Sequence, residues 1–202
     1  MSAANPSPEQ EPPEAETSTA LEWISYSQTT ASSVDNFVAE FEPLDHPAGH
    51  RAAQFLRSDA LVNAPMTRTH LCVSEVRLEG FISCCSGSVT LSERSIRSLG
   101  LRTQITTMPA ILLTWVARHG NGAVPGYELL STAYALAREA TSTIAAVALV
   151  VDPADDQVAE VWKGEPYNFR ESEQKRGGAP RRLWTPLDPE PFDEEGGPVA
   201  VI

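Results

Sequence analysis

Two apolar runs flank a patterned helix in the second half of the chain. Residues 111–117 (Ile-Leu-Leu-Thr-Trp-Val-Ala) are almost continuously apolar. The turn His119-Gly120-Asn121-Gly122-Ala123-Val124-Pro125-Gly126 follows. Over residues 127–140, Leu129, Leu130, Ala133, Leu136, Ala137 and Ala140 recur at three- and four-residue steps, which predicts a helix with one apolar face. Residues 144–151 are apolar without alternation, as a strand covered on both faces requires. Asp152-Pro153 breaks that strand, and Asp155 caps a short helix with Val158, Val161 and Trp162 on its apolar side. Strand, turn, helix and strand make a βαβ unit.

The flanking pattern adds elements on both sides. Residues 36–41 alternate weakly and predict a short strand. Residues 49–63 predict a helix, with Ala52, Ala53, Phe55, Leu56, Ala60 and Leu61 inward and Pro65 ending it. Residues 69–76 and 81–90 predict an antiparallel hairpin that turns at Leu78-Glu79-Gly80. Residues 92–102 predict a loop or short helix, and Pro109 introduces the central strand. Tyr167-Asn168-Phe169 starts an extended piece, and residues 182–187 predict the last strand. The order predicts one α/β domain, a mixed and mostly antiparallel sheet flanked by helices.

Composition sets the limits of that domain. Residues 1–33 are rich in Pro, Glu, Ser, Thr and Ala and are predicted to be disordered, because they bury too little apolar surface to offset ordering entropy. Leu21, Trp23, Ile24 and Tyr26 interrupt that arm, as a docking segment or as an incidental cluster. Residues 188–202 predict an acidic tail, which leaves 34–187 as the domain. Of 27 acids, five lie in residues 1–24 and five in 188–202, where no base occurs; the middle keeps 17 acids against 15 bases, a net −2. The acidity belongs to the ends and argues against attraction of the whole protein to nucleic acid or anionic membrane. A local cluster remains at Lys175, Arg176, Arg181 and Arg182, either a solvated loop or a phosphate-binding patch. No apolar run approaches a membrane span, and the N-terminal residues lack a signal-peptide pattern, so the expectation is a cytoplasmic protein. Cys72, Cys84 and Cys85 predict reduced thiols, and His46, His50, His70 and His119 show no metal-ligand spacing.

The glycine-rich turn has two readings. A turn leading into a helix presents N–H groups and a positive helix end to an anion. The plainer alternative is a connection without a ligand. Gly120, Gly122 and Gly126 are not spaced as a dinucleotide fingerprint, and no Gly-Lys-Ser/Thr occurs there.

Four stretches, in this order, resemble one family. "QFLRSDA" (residues 54–60), "THLCVSEVRLEGFISCCSGSVTLS" (69–92), "MPAILLTWVARH" (108–119) and "VALVVDPADDQVAEVWKGEPYNF" (147–169) resemble the GNAT superfamily of acetyl-CoA-dependent N-acetyltransferases. The resemblance is greatest to the toxin-type (TacT-like) branch and covers residues 36–187. It implies that the backbone of Val116 and Arg118 pairs with the pantetheine arm of acetyl-CoA. It implies that Asn121, Gly122, Ala123, Val124 and Gly126, with Tyr127 at the helix start, hold the diphosphate. It places Trp162 where the family has a proton-donating tyrosine, with Tyr167 as the nearby substitute, since an indole cannot give up that proton. Asn121, Val124 and Pro125 depart from the family's loop, which is also about two residues short here. The implied acceptor is a primary amine, including the amino group of an aminoacyl-tRNA. The implied partners are an antitoxin with a DNA-binding head and, as is common in the family, a second copy of the chain. The alternative is a GNAT-fold protein that has lost transfer chemistry and serves as a binding module.

Overall fold

The computed structural model describes residues 20–102, 104–174 and 177–187. The elements in chain order are β1 (Glu22–Tyr26), α1 (Ala31–Ala39), α2 (Pro47–Ser58), β2 (Arg68–Val73), β3 (Leu78–Thr90) and α3 (Glu93–Ser98). Then come β4 (Thr107–Arg118), α4 (Gly126–Thr141), β5 (Ala148–Val151), α5 (Asp156–Lys163), β6 (Arg170–Glu171) and β7 (Leu183–Pro186). The strands form one sheet in the order β1-β2-β3-β4-β5-β7-β6. Among the described residues only the β4–β5 pair is parallel, with α4 as its crossover. This is the mixed, mostly antiparallel sheet that the sequence predicts.

Alternating strand residues feed two layers. Ile111, Leu113, Leu149 and Val151 pack with Leu129, Ala133 and Ala137 of α4 and Ala159 and Trp162 of α5. On the other face, Leu71, Val73 and Phe81 pack with Val34 and Val38 of α1 and Ala52, Phe55 and Leu56 of α2. Ala110 and Val150 extend that second layer to Ile96 of α3. Gly80 lets β3 approach α4 closely, since a Cβ there would stand 3.1 Å from the Leu129 side chain and 3.0 Å from the Ala117 carbonyl oxygen.

The structure corrects several sequence expectations. Residues 36–41 belong largely to α1; Val34, Phe37 and Val38 recur at helical spacing, and six residues of weak alternation were too few to separate the two periods. The predicted disordered arm ends earlier than residue 33. Residues 22–26 form edge strand β1, paired from Glu22↔Val73 to Tyr26↔Thr69. Backbone hydrogen bonding to β2 holds this segment, and composition does not register such bonds. Leu78, Glu79 and Gly80 lie inside β3, and the hairpin turns at residues 74–77, where the Ser74 N–H donates to the Arg77 carbonyl over 2.9 Å. The strand predicted over 144–151 is confined to Ala148–Val151, and Ile144 is 43% exposed. Asp155 caps α5 as expected, its Oδ1 accepting from the Val158 N–H at 2.8 Å. The remainder of the arm, residues 1–19, and the predicted tail, 188–202, lie outside the described residues.

Candidate active site

The centre of the molecule is the place where β4 outruns β5. Their parallel register ends at Leu113↔Val151, and β4 continues to Arg118. The change coincides with a bulge. Ser83 faces Trp115 and Cys84 faces Leu113, so Thr114 is the extra residue, and its Oγ1 donates to the Ser83 carbonyl over 2.9 Å. Beyond the bulge, backbone direction alternates. The His119 N–H reaches the Glu79 carbonyl on the β3 side at 2.7 Å. Trp115 and Ala117 therefore also face β3, and the N–H and C=O groups of Val116 and Arg118 face the open side. The Arg118 carbonyl already accepts from the Leu44 N–H at 3.3 Å, and the Gly120 N–H donates to the Glu42 carbonyl at 2.8 Å. The segment after α1 thus closes on the tip of β4.

Tyr167 faces the same corner. After α5 the chain folds back, with the N–H groups of Tyr167 and Asn168 both donating to the Gly164 carbonyl at 2.9 and 3.0 Å. Asn168 takes φ 52°, a region that asparagine tolerates better than most residues. The turn lays Tyr167 against Trp162, ring centroids 5.4 Å apart, and points its hydroxyl at the first residue of α4. Burial pushes the phenol pKa up, and the nearby Arg118 guanidinium pulls less strongly the other way. Tyr167 therefore remains a protonated hydroxyl, the form that can give up a proton. Trp162 is buried between Tyr167 and Phe169, with centroids 5.4 and 5.2 Å away, and acts as packing.

The loop between β4 and α4 is tied to its own surroundings. The Asn121 N–H donates to His119 Nδ1 at 3.1 Å, and the Gly122 N–H to the His119 carbonyl at 3.1 Å. The Ala123 N–H donates to Glu79 Oε2 at 2.9 Å. Glu79 is 1% exposed, and its Oε1 accepts from Ser74 Oγ at 2.9 Å and Arg77 Nε at 3.0 Å. Arg77 Nη2 donates to the Asn121 carbonyl at 2.7 Å and completes the ring of contacts. Burial pushes the Glu79 pKa up, but the bonds from Ala123, Arg77 and Ser74 together outweigh it and hold the carboxyl below its usual value. Val124 is fully buried under the loop, in the core with Leu129 and Trp162. Pro125 begins α4 without a side-chain cap, so the Gly126 and Tyr127 N–H groups point out of the helix start. The Tyr127 side chain is 57% exposed.

The other side chains singled out by sequence have structural duties. Arg182 forms a bidentate pair with Asp152, both bonds 2.7 Å, and donates to the Ser88 carbonyl at 2.6 Å. Arg181 reaches the Ser172 carbonyl at 3.5 Å. Lys175 and Arg176 lie outside the described residues. Burial pushes the Cys72 thiol up to about 11 and Cys84 to about 12, so neither is a thiolate nucleophile near neutral pH. Among the described residues no helix is long and apolar enough to cross a membrane.

No family model matches the sequence, and no curated protein matches it. Solved structures do. A tyrosine-to-phenylalanine variant of KacT superposes with TM-score 0.65 at 15% identity, covering 83% of this chain and 95% of that one. AtaT complexed with acetyl-methionyl-tRNAfMet gives 0.66 at 14%, covering 83% and 95%. AtaTR bound with acetyl-CoA gives 0.59 at 16%, covering 83% and 93%. The fold is the GNAT fold.

Within that fold the expected site residues divide into two groups. Val116, Arg118, Gly126 and Tyr167 meet at one corner, formed by the free edge of β4, the start of α4 and the turn after α5. Asn121, Gly122 and Ala123 lie beside it but spend their N–H groups internally. The Val116 backbone N–H and C=O face the open side of that corner. The loop beside that corner already holds a carboxylate, that of Glu79. Sequence reading missed Glu79, although an acid between Leu78 and Gly80-Phe81-Ile82 stands out once the stretch is seen as a strand.

Proposed function

We propose that this protein is an acetyl-CoA-dependent N-acetyltransferase that moves an acetyl group to a primary amine. The observation that carries the reading is the Tyr167 hydroxyl set against the start of α4, beside the unpaired edge of β4, in a GNAT fold. The amine nitrogen bonds to the acetyl carbon while its proton passes to water or a base. The carbon–sulfur bond breaks, and Tyr167 protonates the departing thiolate. In this reading the Val116 N–H polarises the thioester carbonyl.

The acceptor class in this reading is the amino group of an aminoacyl-tRNA, since AtaT is complexed with acetyl-methionyl-tRNAfMet. Exposed Arg97 and Arg102, lining a cavity of about 550 Å³ beside α3, offer phosphate contacts that the Asp152-bound Arg182 does not. An antitoxin partner and a second copy of the chain belong to the same reading, as AtaT is bound to the C-terminus of the antitoxin AtaR. A cytoplasmic location fits those partners.

A second reading, a GNAT-fold binding module without transfer, is favoured by the internally satisfied loop. Incubation of the full chain with acetyl-CoA and an aminoacyl-tRNA pool, followed by mass analysis of the released amino acids, separates the two. N-acetylated product that disappears with Tyr167→Phe supports the transferase. Its absence across all aminoacyl-tRNAs and a panel of small amines, with folded protein, supports the module.

A further inference from the structure

The Glu79 carboxylate lies at the centre of the loop that a diphosphate would contact. Its Oε2 holds the Ala123 N–H at 2.9 Å, and a Cβ added to Gly122 would stand 2.9 Å from the same oxygen. The oxygen therefore fills the space against the loop's inner surface. Arg77 pairs with Oε1 at 3.0 Å and, through the Asn121 carbonyl at 2.7 Å, fastens the outer surface. The Gly120, Asn121 and Gly122 N–H groups point to Glu42 and His119. The one loop N–H left for an anion, that of Ala123, is thus already held by a carboxylate of the chain itself.

We propose that Glu79 is a specificity-determining residue: it occupies the loop half of the diphosphate position and sets the donor preference away from the diphosphate and toward the pantetheine thioester. The inference rests on the acetyltransferase reading above. Two negative groups cannot share the Ala123 N–H, and bringing a diphosphate against a buried carboxylate is strongly unfavourable. The Gly126 and Tyr127 N–H groups and the Arg118 guanidinium remain, enough to meet one phosphate. Binding energy then comes mainly from the arm lying along Val116, so the nucleotide end of acetyl-CoA adds little affinity over S-acetylpantetheine.

The deciding experiment is a titration of the ¹⁵N-labelled full chain with inorganic pyrophosphate, following the Ala123 and Gly122 amide signals, in wild type and Glu79→Gln. Glutamine keeps an acceptor oxygen for the Ala123 N–H and removes the charge. In wild type, the Ala123 signal stays in place. In Glu79→Gln, pyrophosphate binds on the order of tenfold tighter and shifts that signal. The ratio of acetyl-CoA to S-acetylpantetheine affinity rises by a similar factor. Wild type in which pyrophosphate shifts Ala123 at saturable concentration overturns the proposal without any variant. So does a folded Glu79→Gln protein with unchanged pyrophosphate affinity, which would make Glu79 a clamp only. Failure of the transferase reading looks different: no acetyl product forms, while the two pyrophosphate titrations still differ.

Discussion

The Tyr167 hydroxyl stands 2.8 Å from where a Cβ on Gly126 would be. A residue from the turn after α5 is thereby fitted to the first residue of α4, and the fit requires glycine. Gly126 does not have positive φ, so its role is one of space and not of backbone conformation. Gly126→Ala is expected to displace the hydroxyl without unfolding the helix. Acetyl transfer should drop about tenfold, and Tyr167→Phe should lower it about a hundredfold, the range of one general acid. Because both changes act through one hydroxyl, the double variant should be no slower than Tyr167→Phe alone. Steady-state rates of the three variants test this, and multiplicative losses would disconnect the two residues.

Val124 occupies the loop position where the resemblance leads one to expect a glycine serving the phosphates. Its side chain is instead core, fully buried with Leu129, Ala133 and Trp162. Val124→Gly should cost about 2–3 kcal/mol of stability, from the cavity left and the added freedom of the unfolded chain. It should not increase acetyl-CoA affinity, because the Ala123 N–H stays with Glu79. Urea unfolding and calorimetric titration check the two halves separately. A neutral Val124→Gly would mean that the loop rests less firmly on the core than its burial indicates.

The βαβ unit, the hairpin and the α5 cap were legible in the sequence because local pattern decides them. The apolar face of residues 127–140 can only be buried as a helix, and Asp155 followed by Val158 is a self-sufficient cap. What was not legible depends on partners distant in sequence. β1 forms because β2 offers it a free edge, and Glu79 is tolerated inside β3 because Ala123, 44 residues later, supplies a donor. An acid in an apolar strand reads locally as a turn, and so the hairpin was placed too late. Tyr167 was visible as a candidate, but its contact with Gly126 depends on how the turn after α5 folds.

Acid should loosen this loop. The folded Glu79 pKa lies below its ordinary value of 4.5, so the carboxylate contributes stability that is fully present above 4.5. That contribution is lost as the pH falls through the lower, folded value, where protonation removes the charge that Arg77 and the Ala123 N–H recognise. Glu79→Gln should be less stable than wild type at neutral pH and should converge with it in acid. Thermal unfolding of both proteins from pH 7 down to pH 3 reads the difference. A gap that stays constant across that range would assign the Glu79 contribution to packing and not to charge.

Arg182 and Asp152 provide the strongest test of how the far edge of the sheet is held. Arg182 has a side chain only 13% exposed, makes both bonds to Asp152 at 2.7 Å and also reaches the Ser88 carbonyl at 2.6 Å. It therefore links the start of β7 to the end of β5 and to β3, on both sides of β4. Removing the cation takes the two-pronged bond from partly buried Asp152 and this donor from the Ser88 carbonyl. Arg182→Met should cost about 2–3 kcal/mol, somewhat less than for a fully buried pair because Asp152 is 25% exposed. Arg182→Lys should recover only part of the loss, since an ammonium cannot reproduce the two-pronged geometry. The Asp152→Asn/Arg182→Met double variant should lose less than the sum of its single changes, because the two side chains share the same pair of bonds. Chemical unfolding at low and high salt completes the test: a pair this sheltered should keep most of its contribution in 1 M salt, whereas a surface pair would lose it. If salt alone reproduced the Arg182→Met loss, the bond to Ser88 and the burial would have no energetic weight, and the far edge of the sheet would be held by its backbone ladder.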